Sequence, residues 1–463
     1  MPTSSWYRKR NDRSLRYADR VLPTERPILI KIDGCSAARY DGQVATIVAA
    51  NLLSRMTPTL AFDVPDTEIL PPLPWAGAKL RNHLIATAFA ADPSGLFENR
   101  SPRDGDYVLS LGRDHSAATV HGSGWNAFIG PGASPLPDSD QLNPIGPALA
   151  AIAAVARLFA LEMAPIDGPH LFNAFNWQSH MMLDSQLPLL DPAPDLGSIW
   201  SVGLGSVGTT VLYFLTLLTN RFSSALFDMD FIKVHNLDRS PIFIASDSDE
   251  ENGLSKVAAT EIYLRSVGVQ NVVREQKALD QSDLWFAREA GAPDLLISAA
   301  NERNVRYVIE QSAPPIQIYG TTGANWGASV IRHIPLVDPC SCCLFPPGVP
   351  QAATACATET MVQPDTGEAV DASLPFLSFA AGLMAAAEIL KLGLPGYPFS
   401  PNRTILNTHP ETLPRFVSSD MAPRSGCLCG TRHSSVHRRM IMGSKYEGFS
   451  APAPPTPVHL VER

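Results

Sequence analysis

SIWSVGLGSVG, residues 198–208, is an apolar, β-rich run that closes on G-x-G-x-x-G. TTVLYFLTLLTNRF (209–222) follows with apolar residues at helical spacing, and then SALFDMDFIKV (224–234), a second strand with acids in it. Strand, glycine turn, helix and strand make a βαβ unit. In such a unit Gly203 permits the tight turn, and Gly205 lets a phosphate approach the backbone. Gly208 lets helix and strand pack closely. The bound anion sits at the helix N-terminus, where free N–H groups and the dipole favour it.

Working outward, the same rhythm recurs upstream in weaker form. PILIKIDG (27–34) reads as a strand and turn, QVATIVAANLLSRM (43–56) as a helix, and TLAFDVPD (59–66) as a strand ending in acids. Phe62-Asp63 matches Phe227-Asp228 at an offset of 165. DYVLSLGRD (106–114) echoes DLLISAANE (294–302), and IGPALAAIAAVARLF (145–159) echoes FLSFAAGLMAAAEILKL (376–392). The pattern predicts an α/β protein built from two Rossmann-like, doubly wound domains. The first copy has DGCSAARYDG (33–42) where the glycine turn belongs, which is bulkier where a phosphate needs room. We therefore expect a degenerate domain over 1–160, a proline-rich linker over 161–197, a nucleotide-binding domain over 198–442 and a disordered tail over 443–463.

The glycine motif alone suits NAD or FAD equally well. The residues after it discriminate. A dinucleotide site needs one acid after the second strand. Here Asp228 and Asp230 are followed by Asn236, Asp238 and Arg239 in DMDFIKVHNLDRS, and GLSK places Lys256 near a helix start. An arginine and a lysine downstream of the ribose acid suit a triphosphate and its leaving pyrophosphate, and hydride transfer has no need of them. Taken singly, each of these cations also reads as an ordinary solvated surface charge.

Six of the seven cysteines fall in the last third: Cys340, Cys342, Cys343, Cys356, Cys427 and Cys429, with Cys35 apart. DPCSCCLFPP pairs Cys340 with Cys343 as C-x-x-C, and SGCLCG pairs Cys427 with Cys429 as C-x-C. Two thiolate pairs meeting in space make a closed, structural Zn²⁺ site; otherwise they are buried or free thiols. The net charge of −9 argues against a nucleic-acid surface. No run of 18 apolar residues suggests a membrane span, and the charged N-terminus is no secretory signal. The expected location is the cytoplasm.

Taken in order, GLGSVG, DMD, NLDR, GLSK and DLLISAANERNVR resemble the ThiF and ubiquitin-activating enzyme family over roughly residues 198–430. The resemblance implies an enzyme that uses ATP to adenylate a carboxylate. It gives Asp228 the ribose hydroxyls, and Asn236, Arg239 and Lys256 the phosphates. The family's Mg²⁺-binding aspartate aligns with Asn301, and an earlier acidic position aligns with Ser298, so Glu302 or Asp230 is left to supply the carboxylate. It assigns Zn²⁺ to Cys340, Cys343, Cys427 and Cys429, with the second pair one residue shorter than usual.

Cys356, in the polar stretch 351–375, stands where relatives carry a cysteine that takes the acyl group as a thioester; the alternative is an unreactive loop cysteine. LRYADR (15–20) makes Arg20 the candidate for an arginine lent by one half to the other half's ATP. The implied partners are a ubiquitin-like protein with a C-terminal glycine and a ubiquitin-conjugating-like enzyme. The fused, compact plan looks bacterial in type. Adenylation of a sulfur carrier, a non-catalytic scaffold and an NAD-dependent oxidoreductase are the alternatives.

Overall fold

A computed structural model describes residues 5–15, 27–113, 118–137, 139, 141–160, 168–179, 187–248, 253–280, 283, 293–300, 303–311, 316–323, 326–334, 338–344, 361–362, 369–370, 374–398, 401–410, 412, 414–427, 429 and 445–446. Two eight-stranded mixed sheets organise them. The first comprises β1 (Ile28–Ile32), β2 (Thr59–Asp63), β3 (Leu96–Asn99), β4 (Tyr107–Leu111), β5 (Ala118–Ser123), β6 (Asn126–Pro131), β7 (His170–Asn173) and β8 (Gln178–Ser179). The second comprises β9 (Gly197–Val202), β10 (Phe222–Phe227), β11 (Val272–Glu275), β12 (Leu295–Ser298), β13 (Ile316–Gly323) and β14 (Gly327–His333). A small hairpin, β15 (Met361–Val362) and β16 (Ala369–Val370), stands outside that sheet, which β17 (Arg403–Asn407) and β18 (Arg415–Ser419) complete.

The two sheets share one plan. Their orders are β3-β2-β1-β4-β5-β6-β7-β8 and β11-β10-β9-β12-β13-β14-β17-β18. In each, the first five positions are parallel and the last three antiparallel. Ile28 of β1 sits between Leu60 and Tyr107, as Ile199 of β9 sits between Ser224 and Leu295. The duplication expected from apolar echoes is thus a duplication of topology. In each half the order turns back between the first and fourth strands, and ligand crevices of open α/β sheets form there.

The halves meet through helices. Helices Tyr40–Met56 and Ile145–Phe159 of the first half, and Pro375–Lys391 of the second, are buried at every position. That is why these segments lack a polar face: a helix enclosed on all sides reads apolar all round. Pro375 opens its helix, where a missing N–H costs nothing. Phe159 packs on Trp326 at 5.2 Å and on Phe376 at 5.3 Å between ring centroids, so one continuous core joins the halves. Such ring pairs add about 0.5–1.5 kcal/mol each beyond the area they bury. Among the described residues, no helix is long and apolar enough to cross a membrane.

Four boundaries differ from expectation. The stretch 161–197, read as a linker, gives β7 and β8 to the first sheet, extending it past residue 160. Strands of four and two residues carry no periodicity to read, and they cover what would otherwise be the exposed edge of β6. The segment 224–234, read as one strand, ends at Phe227. There the Asp228 carboxylate accepts from the Asp230 N–H at 2.8 Å and turns the chain. The helix expected over 209–222 instead spans Ser206–Thr216. Of the tail 443–463, Lys445 and Tyr446 are docked: the Lys445 N–H donates to Asp294 at 2.7 Å and the Tyr446 hydroxyl to the Leu196 carbonyl at 3.3 Å. The rest of that tail lies outside the described residues.

Candidate nucleotide site

The turn after β9 assigns each glycine a separate job. Gly203 has φ +86°, and a Cβ there would lie 2.6 Å from the Ala300 nitrogen. A Cβ on Gly208 would lie 2.0 Å from the Gly203 carbonyl oxygen, so the helix is pressed onto the turn. A Cβ on Gly205 would meet nothing within 4 Å. Gly205 is the N-cap of helix Ser206–Thr216 and has no side chain to cap it, so the first N–H groups of that helix receive no side-chain capping bond from it.

The acids stand beside this turn. One oxygen of Asp228 accepts from the Leu204 N–H at 2.7 Å, which ties the strand end to the glycine loop. Burial pushes the Asp228 carboxyl above its ordinary value, opposed by Lys256 and by the N–H groups of Asp230 and Leu204. Lys256 Nζ lies 2.6 Å from the Asp230 carboxylate and 3.8 Å from that of Asp228. Lys256 is largely buried and is the first residue of its helix, where the dipole disfavours a cation. The two acids offset that placement.

Asn236 and Arg239 lie on the next segment. The Asn236 side chain accepts from the Lys233 N–H at 2.9 Å and closes a 3-10 turn. Arg239 is buried and pairs with Asp238 at 3.0 Å. Burial pushes the Asp238 carboxyl up to about 6, against the pull of Arg239, Arg10, Arg13 and Arg55. Ser14 also donates to it at 3.5 Å. The last three arginines and Ser14 belong to the first half, a convergence across some 180 residues or more that no local signal announces.

The matching place in the first half keeps a small cavity between Ser36, Arg39, Asp41, Gly112, Arg113 and His121, and its turn is tied by its own side chains. Gly42 repeats the role of Gly208, since a Cβ there would lie 2.1 Å from the Ser36 carbonyl oxygen. In place of an open loop, Asp33 accepts from the Ser36 N–H at 2.9 Å and from its hydroxyl at 2.8 Å. Asp41, in the first turn of helix Tyr40–Met56, caps the Gly42 N–H at 2.8 Å and lies 4.0 Å from His121. A carboxylate thus already sits where the helix would receive an anion.

Cys340, Cys343, Cys427 and Cys429 converge, with all four sulfurs within 4.8 Å of one another. Cys340 lies 3.9 Å from Cys343 and 3.4 Å from Cys427, and Cys343 lies 3.5 Å from Cys429. A tetrahedral zinc site with Zn–S near 2.3 Å sets its sulfurs about 3.8 Å apart, so the cluster fits that ion. The separations are too long for disulfides. The Arg424 N–H donates to the Cys343 sulfur at 3.2 Å, and Glu310 accepts from the Ser341 hydroxyl at 3.2 Å and the Tyr319 hydroxyl at 2.9 Å. The one-residue shortening of the second pair does not prevent convergence. Cys342 is buried beside the four sulfurs without joining them.

The structure therefore brings together the glycine loop, Asp228, Asp230 and Lys256, and separately the four cysteines. Ser298 ends β12, buried, its neighbour Ala299 donating to the Val202 carbonyl at 2.9 Å. Arg20, Asn301, Glu302 and Cys356 lie outside the described residues.

An open α/β sheet with a glycine turn, a buried acid at the next strand end and a lysine paired with acids makes a candidate nucleotide site on a Rossmann-like fold. Residues 197–427 match the model of the ThiF family. No curated protein matches the chain. Among solved structures, E. coli MccB with selenomethionine MccA aligns at 16% identity and TM-score 0.36, covering 51% of this chain and 66%, just under two-thirds, of that one. E. coli MccB with ATP aligns at 13% identity and TM-score 0.37, covering 68% and 98%. Selenomethionine PaaA aligns at 17% identity and TM-score 0.33, covering 48% and 64%. Overlaps of this degree establish neither substrate nor activity for this chain.

Proposed function

We propose that the second half adenylates the C-terminal glycine carboxylate of a ubiquitin-like protein and then takes the acyl group on Cys356. What carries the ATP reading is the convergence of the open space at Gly205, the Asp228 carboxylate and Lys256 at one strand end. The phosphates rest on the helix N-terminus at Ser206, and Asp228 takes the ribose hydroxyls. Lys256 and Arg239 neutralise charge as a carboxylate oxygen bonds to the α-phosphorus and pyrophosphate leaves. Asp230, exposed beside them, and Asn301 are the side chains offered to Mg²⁺. The Cys356 thiolate then attacks the acyl carbon and AMP departs, leaving a thioester for a conjugating-type partner.

Three features support the fused, one-site version of this scheme. The two halves repeat one strand order, the first has Asp33, Ser36 and Asp41 in place of the glycine loop, and the cysteine cluster fits structural Zn²⁺. The test combines the protein with ATP, Mg²⁺ and a ubiquitin-like protein encoded beside it, followed by a non-reducing gel. A thiol-sensitive adduct that vanishes in Cys356→Ala is the expected result. ATP–pyrophosphate exchange without an adduct would remove the thioester step, and neither signal would remove the proposal.

A further inference from the structure

Residues 237–243 join the 3-10 turns Val234–Asn236 and Ala245–Asp247 and carry Arg239. They lie in no strand, so their enclosed carbonyl groups need partners from elsewhere. The partners come from the other half. Arg55, in the last turn of helix Tyr40–Met56, donates from one terminal nitrogen to the Leu237 carbonyl and, at 3.1 Å, to that of Phe243. Its other terminal nitrogen donates to the Pro241 carbonyl at 2.9 Å. Asn51, one turn earlier, accepts from Arg55 Nε at 2.8 Å and donates to the same Pro241 carbonyl at 3.1 Å. Arg55 is 1% exposed and Asn51 3%.

A buried guanidinium is a costly way to fill space, and an apolar side chain would fill it more cheaply. What the planar fork supplies is geometry: three points of one loop fixed at once. We infer that Arg55, oriented by Asn51, is a positioning residue that reaches from the first half to hold residues 237–243 so that Arg239 faces the phosphates of ATP. The inference rests on reading residues 203–256 as an ATP site. It gives the first half a task in catalysis although its own turn lacks the glycine loop.

The experiment measures Mg²⁺-ATP affinity by calorimetry on the full chain. Arg55→Met should weaken binding about tenfold, the scale expected when a group touching the ligand is displaced by a fraction of an ångström to an ångström. Arg239→Ala should weaken it similarly, and the double variant should fall little below Arg239→Ala alone, because Arg55 acts through Arg239. Ile129→Ala, on β6, which packs on β5, β7 and helix Ile145–Phe159, loosens the first half's core elsewhere and should leave affinity unchanged. Arg55→Met binding within about twofold of wild type, or effects that multiply in the double variant, would overturn the inference. Should Arg55→Met fail to fold, Asn51→Leu is read by the same criteria. Wild-type protein that binds no ATP sinks the ATP reading itself, a different result from ATP binding that ignores Arg55.

Discussion

Adding one methyl group to the glycine loop at two places three residues apart should have opposite consequences. At Gly208 the new Cβ would lie 2.0 Å from the Gly203 carbonyl oxygen, a backbone atom with no rotamer to escape into. Overpacking of that kind costs about 1–3 kcal/mol, and for a domain of this size each kcal/mol lowers the melting temperature by about 2–4 °C. Gly208→Ala should therefore melt about 2–12 °C below wild type. At Gly205 the backbone has φ −73° and ψ −161°, which alanine adopts freely, and the Cβ meets nothing within 4 Å. Gly205→Ala should keep wild-type stability or gain about 0.4–1 kcal/mol through a less flexible unfolded chain. Yet that open space is where a phosphate must approach the N–H groups, so ATP binding should fall by about tenfold or more, roughly 1.4 kcal/mol. Thermal unfolding and calorimetric titration with Mg²⁺-ATP read the two effects separately. Undiminished ATP binding by Gly205→Ala would refute the placement of the phosphates, and wild-type stability of Gly208→Ala would refute the packing argument.

Other consequences can be measured alongside. Burial beside Trp75 holds His83 down to about 4 from 6.5, so between those pH values the folded state binds fewer protons than the unfolded one. His83 should therefore lower stability as pH drops through that window, and His83→Gln should remove that part of the slope in a pH series of melts, leaving the parts that half-buried His235 and buried Asp238 contribute. Elemental analysis should find one zinc per chain, lost in Cys427→Ser and retained in Cys342→Ser. Trp177 donates to Glu388 at 2.6 Å and its ring covers Lys391 Nζ at 3.7 Å, joining the first half to a buried ion pair in the second. Trp177→Ala should cost about 3–5 kcal/mol, read by denaturant titration followed in both halves.

The parallel core of each half was legible because its strands, turns and helices are long enough to show their period. Helix Ile145–Phe159 spans the residues its pattern marks. The positive φ of Gly203 and the close approach of Gly208 to it were legible because both belong to one short turn. The cysteine pairs were legible because thiolates at short spacing have few other uses. What escaped was held by contacts between distant residues. Arg55 ends an apolar helix in AANLLSRM, and its oddity there was the one visible hint of partners about 180 residues away. β7 and β8 were too short to carry a pattern, and Tyr446 packs on Leu196 across 250 residues. The change at the first turn was half visible: the missing glycines were plain, but not that the Asp41 carboxylate caps the Gly42 N–H.

The continuous core between the halves bears on how the site survives dilution. Two separate subunits meeting through the surfaces of Phe159, Trp326 and Phe376 would assemble only above some concentration, and Arg55 would leave its loop whenever they parted. Joined in one polypeptide, the same contacts form at an effective concentration set by the tether rather than by expression level. A scarce protein can then keep its phosphate loop shaped at any abundance. Release from a matching partner also frees one copy to lose its glycine loop while the other keeps it, as the unequal turns at 33–42 and 203–208 record.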